Sequence, residues 1–83
     1  MQQKDKENLA KLARRVKELR LKKSKSLNHF VFSQGGVTSS TWSRIENGKF
    51  DVKFNTLIKV ASMLDVSLSE LLRDIDFDYS YVE

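Results

Sequence analysis

The chain has 83 residues, of which 40% are hydrophobic, so the sequence predicts one small folded domain rather than a disordered chain. It contains no cysteine, which excludes disulfides and thiolate metal ligands. No apolar run approaches the ~20 residues of a membrane-spanning helix, and the charged N-terminus lacks the apolar region of a signal peptide. We therefore expect a cytoplasmic protein that does not enter a membrane.

The charge is distributed unevenly along the chain. Residues 1–53 carry 13 Lys and Arg against 5 Asp and Glu, a net +8, whereas residues 54–83 carry 2 against 6, a net −4. A basic front and an acidic tail favour a surface that binds a polyanion. A solvated, charged first helix followed by a solubilising tail explains the same distribution, so charge alone leaves both interpretations open.

The first predicted element is a helix from about residue 6 to residue 23. Its apolar residues recur at helical spacing. Asp5 can cap its start, and lysines lie near its end, where they suit the helix dipole. The inward positions are Leu9, Leu12, Ala13, Val16 and Leu19.

A short second helix is predicted next, with Ser26 as its N-cap and with Leu27, Phe30 and Val31 on one face. The glycines at 35 and 36 end it, because glycine permits positive φ. The run 30–32, with two aromatic residues around a valine, is also typical of a strand. It is too short for one, and helical spacing surrounds it.

A third helix is predicted after Thr38, with Trp42 and Ile45 pointing inward and Asn47-Gly48 as a left-handed C-cap pair. A fourth helix and a short fifth helix, from residue 68 to about residue 74, follow. Ser67 and Glu70 have the spacing of a capping box before the fifth helix. The predicted inward residues are Phe54, Leu57, Ile58, Ala61 and Leu64 in the fourth helix, and Leu68, Leu71 and Leu72 in the fifth.

The C-terminal tail, residues 75–83, changes to a period of two. Ile75, Phe77, Tyr79 and Tyr81 alternate with polar residues, which predicts a strand. A single strand leaves its backbone groups unpaired, but two copies can pair antiparallel across a two-fold axis. We therefore predict that these four residues form a dimerisation strand. A frayed chain end is the alternative.

The second and third helices, with the glycine turn between them, have the order of a helix-turn-helix motif. In that motif the second helix enters the major groove of DNA by its N-terminal end. The small hydroxyl residues at 38–41 permit a close approach to the bases, and the side chain of Arg44 can return to the same groove and read guanine. The alternative is that these are ordinary first-turn residues on a solvated face.

Two stretches, "SRIENGK" at 43–49 and "LIKVASMLDVSLSELL" at 57–72, carry a resemblance. With the rest of residues 9–72, they resemble the lambda-repressor/Cro type of helix-turn-helix domain, the XRE family. The resemblance implies a compact, all-α, five-helix DNA-binding domain over residues 1–74. It also implies a homodimeric bacterial or phage transcriptional regulator, usually a repressor, on a palindromic operator.

The resemblance also implies roles for individual residues. Trp42 stands where the family usually has Ile or Val. The implied base-contacting residues are Ser39, Ser40, Ser43 and Arg44. The implied backbone-contacting residues are Ser26, Thr38, Thr41, Asn47 and Lys49. Arg20 and Glu46 match an ion pair that ties the first helix to the end of the third.

No other chemistry is indicated. His29 is the only histidine, and Asp74, Asp76 and Asp78 lack the glycine and late glutamate of a calcium loop, so no metal site is predicted. There is no phosphate-binding glycine loop and no nucleophile motif, so we expect no enzymatic activity, no cofactor and no small-molecule ligand. The rival to DNA binding is a protein–protein module of the same fold, such as an antitoxin or anti-repressor. The basic front favours DNA.

Overall fold

Five helices form in the computed structural model, which describes residues 2–81. Residue 1 and the end of the predicted tail, residues 82 and 83, lie outside the described part. The helices are α1 (Gln3–Lys23), α2 (Leu27–Gln34), α3 (Ser39–Glu46), α4 (Phe54–Met63) and α5 (Leu68–Leu72). The predicted all-α, five-helix fold is confirmed.

The helix ends follow their capping residues closely. Ser26 and Thr38 cap α2 and α3 as predicted, each accepting a hydrogen bond from the backbone N–H three residues later. α1 begins earlier than predicted, because Asp5 lies in its first turn and accepts from the backbone N–H of Gln2 at 3.2 Å. At the end of α3, Asn47 keeps right-handed helical angles, and only Gly48 has positive φ.

All five helices contribute to one core, in which α1 contacts α2, α3 and α5. Trp42 lies at its centre with no exposed surface, and its ring centroid lies 4.9 Å from that of Phe30 at a tilted angle. Tilted aromatic pairs contribute about 0.5–1.5 kcal/mol beyond the area that they bury. This pair fixes α2 against α3. The residues with less than 2% exposure are Trp42, Phe30, Ile45, Leu64, Leu71, Val16 and Val60.

Two inward positions predicted in α4 are wrong. Phe54 is 66% exposed and Ile58 is 44% exposed, whereas Val60 and Met63 are buried. The buried positions 60, 61 and 64 form one helical stripe, and residue 58 lies well outside it. The packing of α4 on α5 sets which stripe is buried.

The tail is not a strand in the single chain within the described residues, and the predicted pairing with a second copy stays a prediction. It folds back along α1, where the Asn8 side-chain amide pairs with the backbone of Asp78. Asn8 Nδ2 donates to the Asp78 carbonyl at 2.9 Å, and the Asp78 N–H donates to Asn8 Oδ1 at 2.7 Å. An asparagine side chain carries both donor and acceptor groups, so at Asp78 it supplies the two backbone hydrogen bonds that a neighbouring strand would supply.

Further contacts hold the tail on α1. Lys11 and Arg15 donate to the carbonyl oxygens of Asp76 and Arg73, and Phe77 packs against the core. The Tyr81 hydroxyl donates to Asp5 Oδ1 at 2.8 Å, and this hydrogen bond raises the pKa of Tyr81. Hydrogen bonds from Ser80 lower the pKa of Asp78. Of the four predicted dimerisation residues, Ile75 and Phe77 are half-buried within the chain, whereas Tyr79 is 81% exposed and Tyr81 49%.

Candidate nucleic-acid interface

The N-terminal end of α3 is fixed by a pair of threonines. Thr38 Oγ1 accepts from the backbone N–H of Thr41 at 3.1 Å and donates to Thr41 Oγ1 at the same distance. One end of the helix thus has a defined position, and two hydroxyl groups lie side by side there. Hydroxyl groups at such a helix end can bind phosphate oxygens or base edges.

The two sides of α3 differ sharply. Trp42 and Ile45 are 0% and 2% exposed and attach the helix to the core. Ser40 and Arg44, one turn apart, are exposed on the other side. Ser39, Thr41 and Ser43 are half-buried beside them. The helix therefore presents a narrow polar surface of short side chains and one guanidinium.

A buried polar network holds the last turn of α3. Arg20 donates from Nε and Nη2 to the two carboxylate oxygens of Glu46 at 2.9 and 2.8 Å. The Trp42 indole N–H donates to the same carboxylate at 2.6 Å. The side chains of Arg20 and Glu46 are only 5% and 6% exposed. Hydrogen bonding to Glu46 raises the pKa of Arg20, so the guanidinium remains charged at neutral pH.

The same arginine also reaches the start of α2. Arg20 Nη1 donates to the carbonyl oxygens of Ser24 and Lys25 at 3.1 and 2.9 Å. One side chain therefore joins the end of α1, the turn before Ser26 and the end of α3. Two of these segments adjoin candidate DNA contacts, Ser26 at the start of α2 and Asn47 after α3, so one buried group joins the parts of the chain that carry them.

The remaining candidate contacts lie after α3. Asn47 and Lys49 are exposed, while Gly48 between them is buried. They line a concavity of about 510 Å³ together with Lys6 of α1. The structure thus brings the two predicted residues, one of which is a lysine, together with a second cation from a distant part of the chain. Ser26 is exposed at the start of α2, on a separate segment.

Three features of this region were not predicted from the sequence. The Trp42–Glu46 bond had a signal in the sequence, since donor and acceptor are four residues apart on one helix. The sequence carried no signal for the other two features. These are the position of Lys6 at the concavity after α3 and the hydrogen bonds between Asn8 and the tail. Both depend on segments that lie far apart in the sequence.

Within residues 2–81, no helix is both long and apolar enough to cross a membrane. Across the same part of the chain, no group of three or more His, Asp or Glu side chains is arranged to hold a metal ion.

A short α2, a glycine turn and a capped α3 whose outer side is polar define a helix-turn-helix domain. The family model described as the helix-turn-helix domain matches residues 13–76, so the chain belongs to this family. The resemblance to the XRE type of helix-turn-helix domain is thereby confirmed. No curated protein and no solved structure matches the chain.

Proposed function

We propose that the protein is a sequence-specific regulator of transcription that binds double-stranded DNA and reads the major groove with α3. The observation that carries the proposal is the outer side of this helix. Ser40 and Arg44 are exposed on it, while Trp42 and Ile45 hold its other side in the core. A rigid helix with short polar side chains and one arginine is suited to direct base readout.

The proposed division of roles follows the position of each residue. Ser39, Ser40, Ser43 and Arg44 contact bases. Ser26, Thr38, Thr41, Asn47 and Lys49 contact the sugar–phosphate backbone. The surplus of cations over residues 1–53 supplies the sequence-independent part of the affinity. The function is binding, with no catalytic step.

We further propose a cytoplasmic homodimer that represses transcription from a palindromic operator. Two copies related by a two-fold axis place their α3 helices about 34 Å apart, in successive major grooves. Among the predicted dimerisation residues, Tyr79 is now the best candidate, because Ile75 and Phe77 are half-buried within their own chain. Sedimentation of the chain truncated after Asp74 tests this. Dimerisation as tight as that of the full chain would exclude the tail.

The decisive experiment is selection of bound duplexes from a random DNA pool, followed by affinity measurements with Arg44→Ala. We expect the variant to lose about 1–3 kcal/mol on the selected site and to relax the preference at one base position. Arg73→Ala is the control, since Arg73 is an exposed arginine beyond α5. If Arg44→Ala weakens selected and random DNA equally, Arg44 contacts phosphate and not a base.

The rival function, a protein-binding module of the antitoxin or anti-repressor type, is favoured by one observation. Phe32 in α2 is 92% exposed, and aromatic residues are enriched in protein interfaces. Failure to enrich any duplex, together with affinity for random DNA that does not change with salt, would support this rival over DNA binding.

A further inference from the structure

The first half of α1 lies against the turn that follows α3. Gly48 in this turn is buried and has φ of +71°. A Cβ added to it would lie 3.1 Å from Ala10 Cα and 3.4 Å from Ala13 Cβ. The backbone after α3 therefore touches the backbone of α1, and the distance between the two segments is fixed.

One helical turn before Ala10, Lys6 is exposed at the rim of the same contact. It lines the concavity of about 510 Å³ with Asn47, Gly48 and Lys49. Two lysines and one asparagine therefore line a single concavity. Within residues 2–81 the pair Arg20–Glu46 is the one ion pair, so neither lysine is neutralised by a carboxylate in the described structure.

The tail holds the other side of this part of α1. Asn8 is bonded to both backbone groups of Asp78, and Tyr81 donates to Asp5. Asp5, the acidic residue next to Lys6, is thus engaged with the tail. Chain ends usually fray unless other contacts secure them. Here the first turns of α1 are secured between the α3–α4 turn and the tail, so the backbone that carries Lys6 has a fixed position.

We propose that Lys6 binds a phosphodiester oxygen of the DNA backbone together with Asn47 and Lys49. The contact surface then extends beyond the helix-turn-helix motif onto the N-terminal half of α1. The inference rests on the proposed DNA-binding function. An ammonium group binds phosphate as a point charge, and an amide N–H adds a hydrogen bond to the same group. Such a contact adds affinity for any sequence and carries no base preference.

The test uses Lys6→Gln in the full chain, with affinities for the selected site and for random duplex measured over a range of salt concentrations. Each neutralised phosphate contributes about −0.9 to the log–log slope. We expect the slope to become shallower by about 0.9 on both duplexes. At 0.1 M salt this corresponds to about an eightfold loss of affinity. Lys6→Arg, which keeps the charge, should retain the wild-type slope.

Arg73→Gln is the charge-matched control, because it removes one exposed cation from the end of the molecule where the tail begins. Its slope should equal that of the wild type. A wild-type slope for Lys6→Gln beside a shallower slope for Lys49→Gln would overturn the role of Lys6 and leave the proposed function intact. Loss of affinity on the selected site alone would also overturn it, since a phosphate contact cannot distinguish sequences.

Two further outcomes distinguish free phosphate from DNA as the ligand, and the role of Lys6 from the DNA-binding function. Inorganic phosphate can be titrated to millimolar concentration while the NMR chemical shifts of Lys6 and Lys49 are followed. If these shifts change to saturation, while Lys6→Gln keeps the wild-type dependence of duplex affinity on salt, the concavity binds the free anion and not DNA. If the wild-type protein shows no salt-dependent affinity for any duplex, the proposed function fails, and the role of Lys6 fails with it.

Discussion

Removing the carboxylate of Glu46 leaves the guanidinium of Arg20 buried without its counter-charge. Glu46→Ala also leaves the Trp42 indole N–H without its hydrogen-bond acceptor, because this group donates to the same carboxylate. Breaking a buried ion pair from one side typically costs about 3–5 kcal/mol. A chain of this length has a total stability of about 4–12 kcal/mol at 0.05–0.15 kcal/mol per residue. The substitution should therefore remove a large part of the folding free energy.

Arg20→Ala should be costly as well, since it leaves the Glu46 carboxylate with only the Trp42 donor. The double variant removes both charges, so its loss should be smaller than the sum of the two single losses. We expect a coupling of about 1.5–3 kcal/mol. Arg20→Lys is a matched variant that keeps the charge but loses the bidentate contact with Glu46. It should be more stable than Arg20→Ala and less stable than the wild type.

The assay is urea unfolding at pH 7, monitored by the fluorescence of Trp42, the single tryptophan. Because the pKa of Arg20 is raised above its ordinary value, the stabilisation that its positive charge contributes is fully present at pH 7. This contribution is lost as the pH rises through the raised pKa. A coupling within about 0.5 kcal/mol of zero would refute the reasoning, since distant, independent sites add to that precision.

Three further predictions concern the turn after α3, its cap and the tail. Gly48→Ala should destabilise the fold by more than the ~1–2 kcal/mol strain of a left-handed alanine, because its Cβ would lie 3.1 Å from Ala10 Cα. A smaller loss in urea unfolding would show that the turn can shift away from α1. Thr38→Ala should cost about 1 kcal/mol in the same assay, whereas Thr38→Ser, which keeps the capping hydroxyl, should cost less. Equal losses would show that the cap bond contributes nothing. The Tyr81 ring should titrate above its ordinary 10.0 by NMR, because its hydrogen bond to Asp5 is present below that pH and is lost as the pH rises through the raised pKa. Asp5→Ala should lower the pKa, and an unchanged midpoint would contradict the Tyr81–Asp5 contact.

Local sequence determined where α2 and α3 begin. Ser26 and Thr38 each supply a hydroxyl that accepts a hydrogen bond from the N–H of the third residue on, and both partners of this bond lie within four consecutive residues. The burial of Trp42 and Ile45 also follows from local spacing, because side chains three positions apart in a helix lie on the same side of it. The polar outer side of α3, and with it the candidate base contacts, could therefore be predicted.

Helical spacing was less informative for α4. Residues 54 and 58 are apolar at a helical interval, yet both are exposed. A spacing pattern specifies which residues share a side of the helix, but the helix can rotate to bury a neighbouring stripe. Ala61 and Leu64 are buried as the spacing predicted, but Val60 and Met63 are buried in place of Phe54 and Ile58.

Only the tertiary structure determined what the tail and the start of α1 do. The alternation of apolar and polar residues over 75–81 predicted a strand. Such a pattern describes the polarity of the side chains, and it does not specify the hydrogen-bond partners of the backbone. At Asp78 that partner is the Asn8 amide, 70 residues away. Lys6 likewise lines a concavity with the turn after α3, where Gly48 packs closely against α1. Contacts between such distant segments depend on the path of the whole chain, which no local pattern encodes.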